Sequence, residues 1–458
     1  MRTYSRFLSP GRCVLLTLGL AFGCQRPVAP IGESASIDRT LIGEMMMHSE
    51  FAANLRALCM PGGRLSGTPN AEAAERFVAD KLREYGLKNV HFEPFDMQSW
   101  IVHETQVTLL TDPPRVIDGA IGLGKTMSTP PDGVTAELID VGEGREADLQ
   151  AHAASLPGKL VLIHPEVRSR RDRVRLAVWF GAAGVVFMGS TDQPPYIGNG
   201  HEEPRPEPIA AIPHDQAILD LLQHGEKPRL NIRLRTENWN SRPNNVVGEI
   251  PSAGPSAHEV VLIGAHLDSW HLGEGAIDNG NGSAAILEVA RTLARSGWQP
   301  RRTVRFVWFA GEELDLRGSK AYIAAHRAEL DDIVCLVNVD MPGAPRKLVH
   351  FGHPELEPLL KGAIADLAGY ELDAEIVAAN GGGSDEATFV ERGVAAIALS
   401  GELGPGVKHF HNVGDKYETV DRRGTVGSAA VISVLVRRLA DAPQRPAMHH
   451  TPSSTPAE

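Results

Sequence analysis

Residues 259–309 read EVVLIGAHLDSWHLGEGAIDNGNGSAAILEVARTLARSGWQPRRTVRFVWF. The apolar run 259–266 has the length of a buried strand. Residues 282–296 repeat apolar side chains at helical spacing, and 303–309 is rich in valine and aromatic residues. The alternation continues toward the C-terminus, with strands expected at 334–339, 347–351 and 395–399. Helices are expected at 319–326, 355–368 and 425–440. With a further strand at 245–250, this pattern predicts an α/β fold, a mixed twisted sheet sandwiched by helices.

Toward the N-terminus, residues 41–58 and 71–85 are helical in period. Between them PGGRLSGTP (61–69) reads as a loop. Thr68 or Asn70 is placed to cap the second helix, and Gly86 to end it. Strands follow at 90–95 and 101–110. From 111 to 237 the character changes to short β-type runs at 136–141, 159–164, 184–188, 209–212 and 229–234, with one helical stretch at 173–181. This segment reads as an inserted, mostly β domain. The division expected is an α/β domain at 37–110 and 238–441, interrupted by the insert at 111–237.

The chain has 458 residues, enough for more than one domain, with 42% apolar and 22% charged residues. A net charge of -12 without a basic cluster excludes a nucleic-acid partner. Arg2, Arg6 and Arg12 flank the apolar stretch 13–22, which is too short for a stable span and reads as a signal peptide over 1–24. The run LAFGC (20–24) resembles a bacterial lipoprotein box, although Phe22 is bulky for it. A lipid on Cys24 would anchor the exported protein to the membrane of the cell envelope through a tether at 25–36. An ordinary secretory cleavage nearby is the other reading. Cys59 and Cys335 make neither a metal pattern nor a disulfide framework and are expected as buried thiols. The tail at 442–458 is rich in Pro, Ser and Thr and is expected to be disordered.

Six acidic and imidazole positions stand out, most of them where apolar runs end: His266, Asp278, the pair Glu312-Glu313, Asp340 and His411. The carboxyl ends of strands are where an open α/β sheet places its chemistry. Asp268, two residues beyond His266 in extended chain, points to the same side and can hold the far ring nitrogen of a metal-bound imidazole. Asp278 lies in GAIDNGNGSA, and a carboxylate there can bridge two cations. Adjacent Glu312 and Glu313 repel unless a cation resolves the conflict, one ligating and the other staying free as a base. Each residue taken alone has an ordinary explanation as a cap, a turn or a surface acid. His409 rivals His411 as a ligand. Together the two imidazoles and four acids suffice for two metal ions and a base.

The set GAHLDSW, GAIDNGNGSA, AGEELDLRGS, NVD, GGGSDEATF and HxxxD resembles the two-zinc exopeptidase superfamily of bacterial aminopeptidases. It is most similar to the carboxypeptidase Q-like branch, which also carries RLSGTP near its start. Residues 156–163 and 177–187 resemble the protease-associated domain inserted in such enzymes. The resemblance implies two zinc ions, one held by His266 and Asp340, the other by Glu313 and His411, with Asp278 bridging. It implies Glu312 as general base, Asp268 behind His266, Asp385 as a candidate for substrate contacts and a cis peptide at Asp278-Asn279. Peptides are the implied substrates, and the reading is compatible with a homodimer. His271, Asn279, Glu386 and the Met-Pro-Gly after Asp340 depart from the branch and put residue preference in doubt. Two other readings share the scaffold: a single-zinc glutaminyl cyclase-like aminoacyltransferase and a non-catalytic binding protein. The insert and the full ligand set count against the first, and the ligand set against the second.

Overall fold

The structure, a computed structural model, describes residues 33–164, 170–192 and 194–445. The expected signal segment with Cys24 and the tail beyond Arg445 lie outside the described residues. Among the described residues, no helix is long and apolar enough to cross a membrane.

Helices α1 (Glu33–His48), α2 (Phe51–Leu58) and α3 (Pro69–Tyr85) come first. The period at 41–58 is thus divided between two helices, and α1 begins within the stretch read as a tether. The break falls at Ser49, whose hydroxyl accepts from the Phe51 amide at 3.1 Å and so competes with helix continuation. Thr68 caps α3 by accepting from the Ala71 amide at 3.4 Å, and Gly86, at φ 89, ends it. Asn70 instead donates to the carbonyls of Pro61 and Gly63.

Next come β1 (Lys88–Pro94), β2 (Met97–Leu109), β3 (Arg115–Val116), β4 (Ile121–Gly122), β5 (Val134–Asp140), α4 (Glu146–His152) and β6 (Leu160–Ile163). They are followed by α5 (Arg170–Trp179), β7 (Gly184–Met188), β8 (Ile209–Ile212), α6 (Gln216–Gln223) and β9 (Arg229–Ser241). The remainder comprises β10 (Asn244–Ile250), β11 (Val260–His266), α7 (Asn281–Arg295), β12 (Thr303–Phe309), α8 (Arg317–Ala325) and β13 (Ile333–Asn338). It closes with β14 (Ala344–Phe351), α9 (Glu357–Asp366), β15 (Glu375–Ala379), α10 (Glu386–Val390), β16 (Ala396–Glu402) and α11 (Arg422–Asp441).

Two mixed sheets result. The first has the order β1-β10-β12-β11-β13-β16-β14-β15, and its four central strands, β12 to β16, are parallel. Alternation along these strands feeds two cores. Val261, Ile263 and Ala265 of β11 join the core formed with α1, α2, α3, α7, α9 and α11. Leu262, Val307 and Phe309 instead meet Tyr322 of α8 and Phe389 of α10. The sheet is therefore covered on both faces, as its almost wholly apolar strands require. Strand β11 has β12 on one side and β13 on the other, so the chain reverses its direction of travel across the sheet there. That switch point opens a crevice at the carboxyl ends.

The second sheet runs β3-β2-β9-β5-β6-β7-β8-β4. It takes in β2 and β9, so it starts at Met97 and ends at Ser241, wider than 111–237. It also carries α4 and α6, which the sequence pattern did not indicate. Leu149 is the buried residue of α4, too little apolar surface to leave a helical stripe, whereas α6 does carry one in Ile218, Leu219, Leu221 and Leu222, but over only eight residues. Cys59 and Cys335 are free thiols, Cys335 fully buried and Cys59 half-buried.

Candidate active site

His266 is the last residue of β11, and the other candidates sit just beyond the carboxyl ends of neighbouring strands. Glu312 and Glu313 follow β12, Asp340 follows β13, and His411 lies in the loop after β16. Asp278 follows a loop out of β11, immediately before α7. Sheet topology alone therefore gathers residues that are as much as 145 positions apart in the chain, His266 to His411.

Two triads form and share one member. His266, Asp278 and Asp340 present ligand atoms that all lie within 4.8 Å of one another, and so do Asp278, Glu313 and His411. Asp278 Oδ1 is 3.1 Å from His266 Nε2, while Asp278 Oδ2 is 2.8 Å from His411 Nε2. His411 Nε2 is also 3.1 Å from Glu313 Oε2, and His266 Nε2 is 3.4 Å from Asp340 Oδ1. His411, not His409, faces Asp278.

Each imidazole is oriented from behind. His266 Nδ1 meets the Asp268 carbonyl at 3.1 Å, with the Asp268 carboxylate farther off at 3.7 Å. That carboxylate accepts instead from the Glu312 amide at 3.1 Å, so Asp268 supports both the imidazole and the proposed base. His411 Nδ1 meets the carbonyl of Ile197 at 3.0 Å, a contact supplied by the second sheet domain.

Behind Asp278, the buried Asp415 carboxylate accepts from the amides of Ile277 at 2.6 Å and Asp278 at 3.2 Å. Asn279 donates to the Val339 carbonyl and accepts from the Gly282 and Met341 amides, tying the Asp278 loop to the end of β13. The Asp278-Asn279 peptide is cis. Arg64 of RLSGTP is fully buried and donates to the carbonyls of Leu58, Leu267, Glu274 and Gly275. The hydroxyl of Ser66, in the same motif, accepts from the Gly311 amide at 2.7 Å. The motif is thus a bracket for the two loops that carry Asp278 and Glu312.

The charges are mutually dependent. Burial alone would raise Asp278, but hydrogen bonds from His266 and His411 hold it below the usual carboxylate range. Burial, reinforced by Asp278, outweighs His411 and lifts Glu313 to about 7. Glu312 rises well above its ordinary value through burial and the neighbouring carboxylates of Glu313, Asp340 and Asp385. Burial would depress both imidazoles, yet Glu313 and Asp278 push His411 up to about 10, and Glu312 and Asp340 push His266 well above its ordinary value. Asp385 is buried beside this cluster, and burial brings its carboxyl to about 7.

A metal fits these donors. Glu313 Oε1 and Asp340 Oδ1 are buried and make no hydrogen bond to protein among the described residues. Nitrogen and carboxylate oxygen are the donors that a borderline divalent cation accepts. Positive charge is also what four converging carboxylates call for.

The pattern of Peptidase family M28 matches residues 245–436. Carboxypeptidase Q of Mus musculus is 28% identical over 398 residues, which cover 83% of this chain and 83% of the mouse protein. The peptidase M28 precursor of Shewanella amazonensis superposes with a TM-score of 0.79 at 24% identity, covering 90% of this chain and 98% of its own. The zinc aminopeptidase of Bacillus subtilis superposes with a TM-score of 0.67 at 21% identity, covering 90% of this chain and 97% of its own. The M28 match spans every residue of both triads together with Glu312, so the whole candidate site lies within the part of the chain that is similar to peptidase family M28.

Proposed function

We propose that the protein is a two-zinc exopeptidase that removes N-terminal residues from short peptides or splits dipeptides. The observation that carries this is Asp278, whose two oxygens face different triads. His266 and Asp340 would hold one ion and Glu313 and His411 the other, with Asp278 shared. Bound zinc polarises a scissile carbonyl and lowers the pKa of water. Glu312 takes a proton from the attacking water and delivers it to the nitrogen of the leaving amine as the carbon–nitrogen bond breaks. Asp268 holds the Glu312 backbone for that transfer. The positive charge beside Glu312 would return its carboxyl, raised by burial, to the basic form. Asp385 lies close enough to Glu312 to affect its charge and is the candidate for contacts to the peptide.

Glu312→Gln is expected to abolish turnover of aminoacyl amides and dipeptides while two zinc ions remain bound on equilibrium dialysis. Near-wild-type turnover would overturn the assignment. A single zinc per chain with cyclisation of N-terminal glutamine would transfer the protein to the cyclase-like reading. The basic and apolar character of residues 1–24 supports export with a lipid on Cys24. Cys24→Ser should then move the protein from the detergent phase to the aqueous phase. We read the second sheet domain as the protease-associated insert.

A further inference from the structure

The two triads are braced differently. His266 and Asp340 are held from within the first sheet domain, through the Asp268 carbonyl and through Asn279, which links Val339 and Met341. Glu313 and His411 are gripped from the second sheet domain. The Ile197 amide donates to the His411 carbonyl at 2.8 Å, while His411 Nδ1 donates back to the Ile197 carbonyl at 3.0 Å. Two residues on, the Asn199 side-chain amide donates to the Glu313 carbonyl at 2.7 Å. Lys125 forms a buried ion pair with Asp315, and Arg171 reaches the other Asp315 oxygen at 2.7 Å.

The gripped segments need holding. His411 sits at φ 54, Asp315 at φ 81 and Leu316 at φ 58, all in the left-handed region. Aspartate and histidine enter that region more readily than most side chains, but for Leu316 it is unfavourable and persists only where the surroundings over-determine it. The Ile197 carbonyl also keeps hydrogen on Nδ1, so that Nε2, which faces Asp278 and Glu313, is the nitrogen that gives up its proton to a metal.

We infer that the 197–199 strap, with Lys125, is a positioning element for the Glu313–His411 triad and not for the His266–Asp340 triad. This rests on the two-zinc reading above. The second domain is thereby part of the metal centre rather than only a cover over it. Asn199 and Lys125 touch neither ligand atoms nor substrate in this scheme; they act through the backbone of Glu313 and the carboxylate of Asp315.

The test is stepwise zinc binding to the full metal-free chain, read by competition with a chromophoric chelator. Wild type, Asn199→Ala, Lys125→Met and Lys125→Arg are compared. Asn199→Ala and Lys125→Met should each weaken one of the two steps by about tenfold or more and leave the other within about twofold. Lys125→Arg, which keeps the charge beside Asp315, should preserve both. If wild type does not take up two zinc ions, the functional reading fails, and this inference with it. If wild type binds two and the variants change neither step, or change both equally, the positioning role alone is refuted. Far-UV circular dichroism checks folding. Should Lys125→Met fail to fold, Asn199→Ala decides, since it removes a single side-chain amide from the strap.

Discussion

Replacing Arg64 by lysine tests whether the buried guanidinium holds the active-site loops. Arg64 is fully buried. Its Nε donates to Leu267 O at 2.9 Å, its Nη1 to Leu58 O at 2.7 Å and Glu274 O at 2.9 Å, and its Nη2 to Gly275 O at 2.9 Å. These carbonyls lie at the end of α2 and at both ends of the loop from β11 toward Asp278. Burial lowers the pKa of this side chain, and none of its four acceptors is a carboxylate. The hydrogen bonds therefore carry the compensation for its desolvation. A planar fork meets acceptors spread over two loops, whereas an ammonium offers its hydrogens from one point. Lysine would keep at most two of the four. Losing two charge-assisted bonds at about 1.5–3 kcal/mol each amounts to about 3–6 kcal/mol. That is a large share of the roughly 5–15 kcal/mol by which a domain is stable. Urea unfolding followed by tryptophan fluorescence and far-UV circular dichroism measures the loss; coincident transitions would license a two-state treatment. Trp270, on the clamped loop, adds a local probe. A loss below about 1 kcal/mol would mean that solvent or relaxation replaces these bonds, and the reasoning would fail.

A methyl group added at Gly282 would stand 2.1 Å from Asn279 Oδ1 and 2.6 Å from the Val339 carbonyl. Gly282→Ala should therefore cost about 1–3 kcal/mol in chemical denaturation and weaken zinc binding through Asn279; an unchanged midpoint would refute this. His326 Nε2 meets Glu93 at 2.8 Å, which raises the histidine, while burial opposes, and the same bond outweighs burial to lower Glu93. A raised histidine stabilises fully below its unfolded pKa and loses that contribution as pH rises through the folded one. His326→Gln should accordingly cost about 1 kcal/mol near pH 6 and progressively less above it; equal losses at both ends would exclude the pair as the cause. Loading zinc near pH 7 should release more than two protons per chain, because His266 and His411 are held protonated in the metal-free protein and must ligate as neutral rings, and the raised carboxyls of Glu312 and Glu313 lose their protons as well. A pH indicator in weak buffer reads this directly, and no release would contradict those charge states.

The apolar runs of the first sheet domain were legible because its strands are buried on both faces and its helices carry stripes. The loop at 61–69 and helix α3 after it were equally legible, since Thr68, Pro69 and Gly86 act on their own neighbours in sequence. The second domain was less so. Strand β2 shows mixed burial and only half resembles a buried strand, so nothing local told that it pairs with β9 across more than a hundred residues. Strand β15 and helix α10 were missed for their shortness, with five residues each.

Within the site, residue type and position determined which side chains could carry the chemistry. Most of His266, Asp278, Glu312, Glu313, Asp340 and His411 stand at the ends of apolar runs, and metal ligands must be of these few kinds. What supports them was decided only in three dimensions. Arg64, Asp415, Ile197 and Asn199 act through backbone carbonyls and amides, or by offering their own backbone, and any residue type supplies a carbonyl. A contact of that sort leaves no periodicity and no composition for a sequence to display. The sequence by itself therefore determined the donors and the architecture that brings them to one edge of a sheet. The tertiary structure decided which oxygen of Asp278 faces which imidazole, and that Ile197 and Asn199 reach His411 and Glu313. Those outcomes depend on long-range packing of whole elements, which no local stretch of chain encodes.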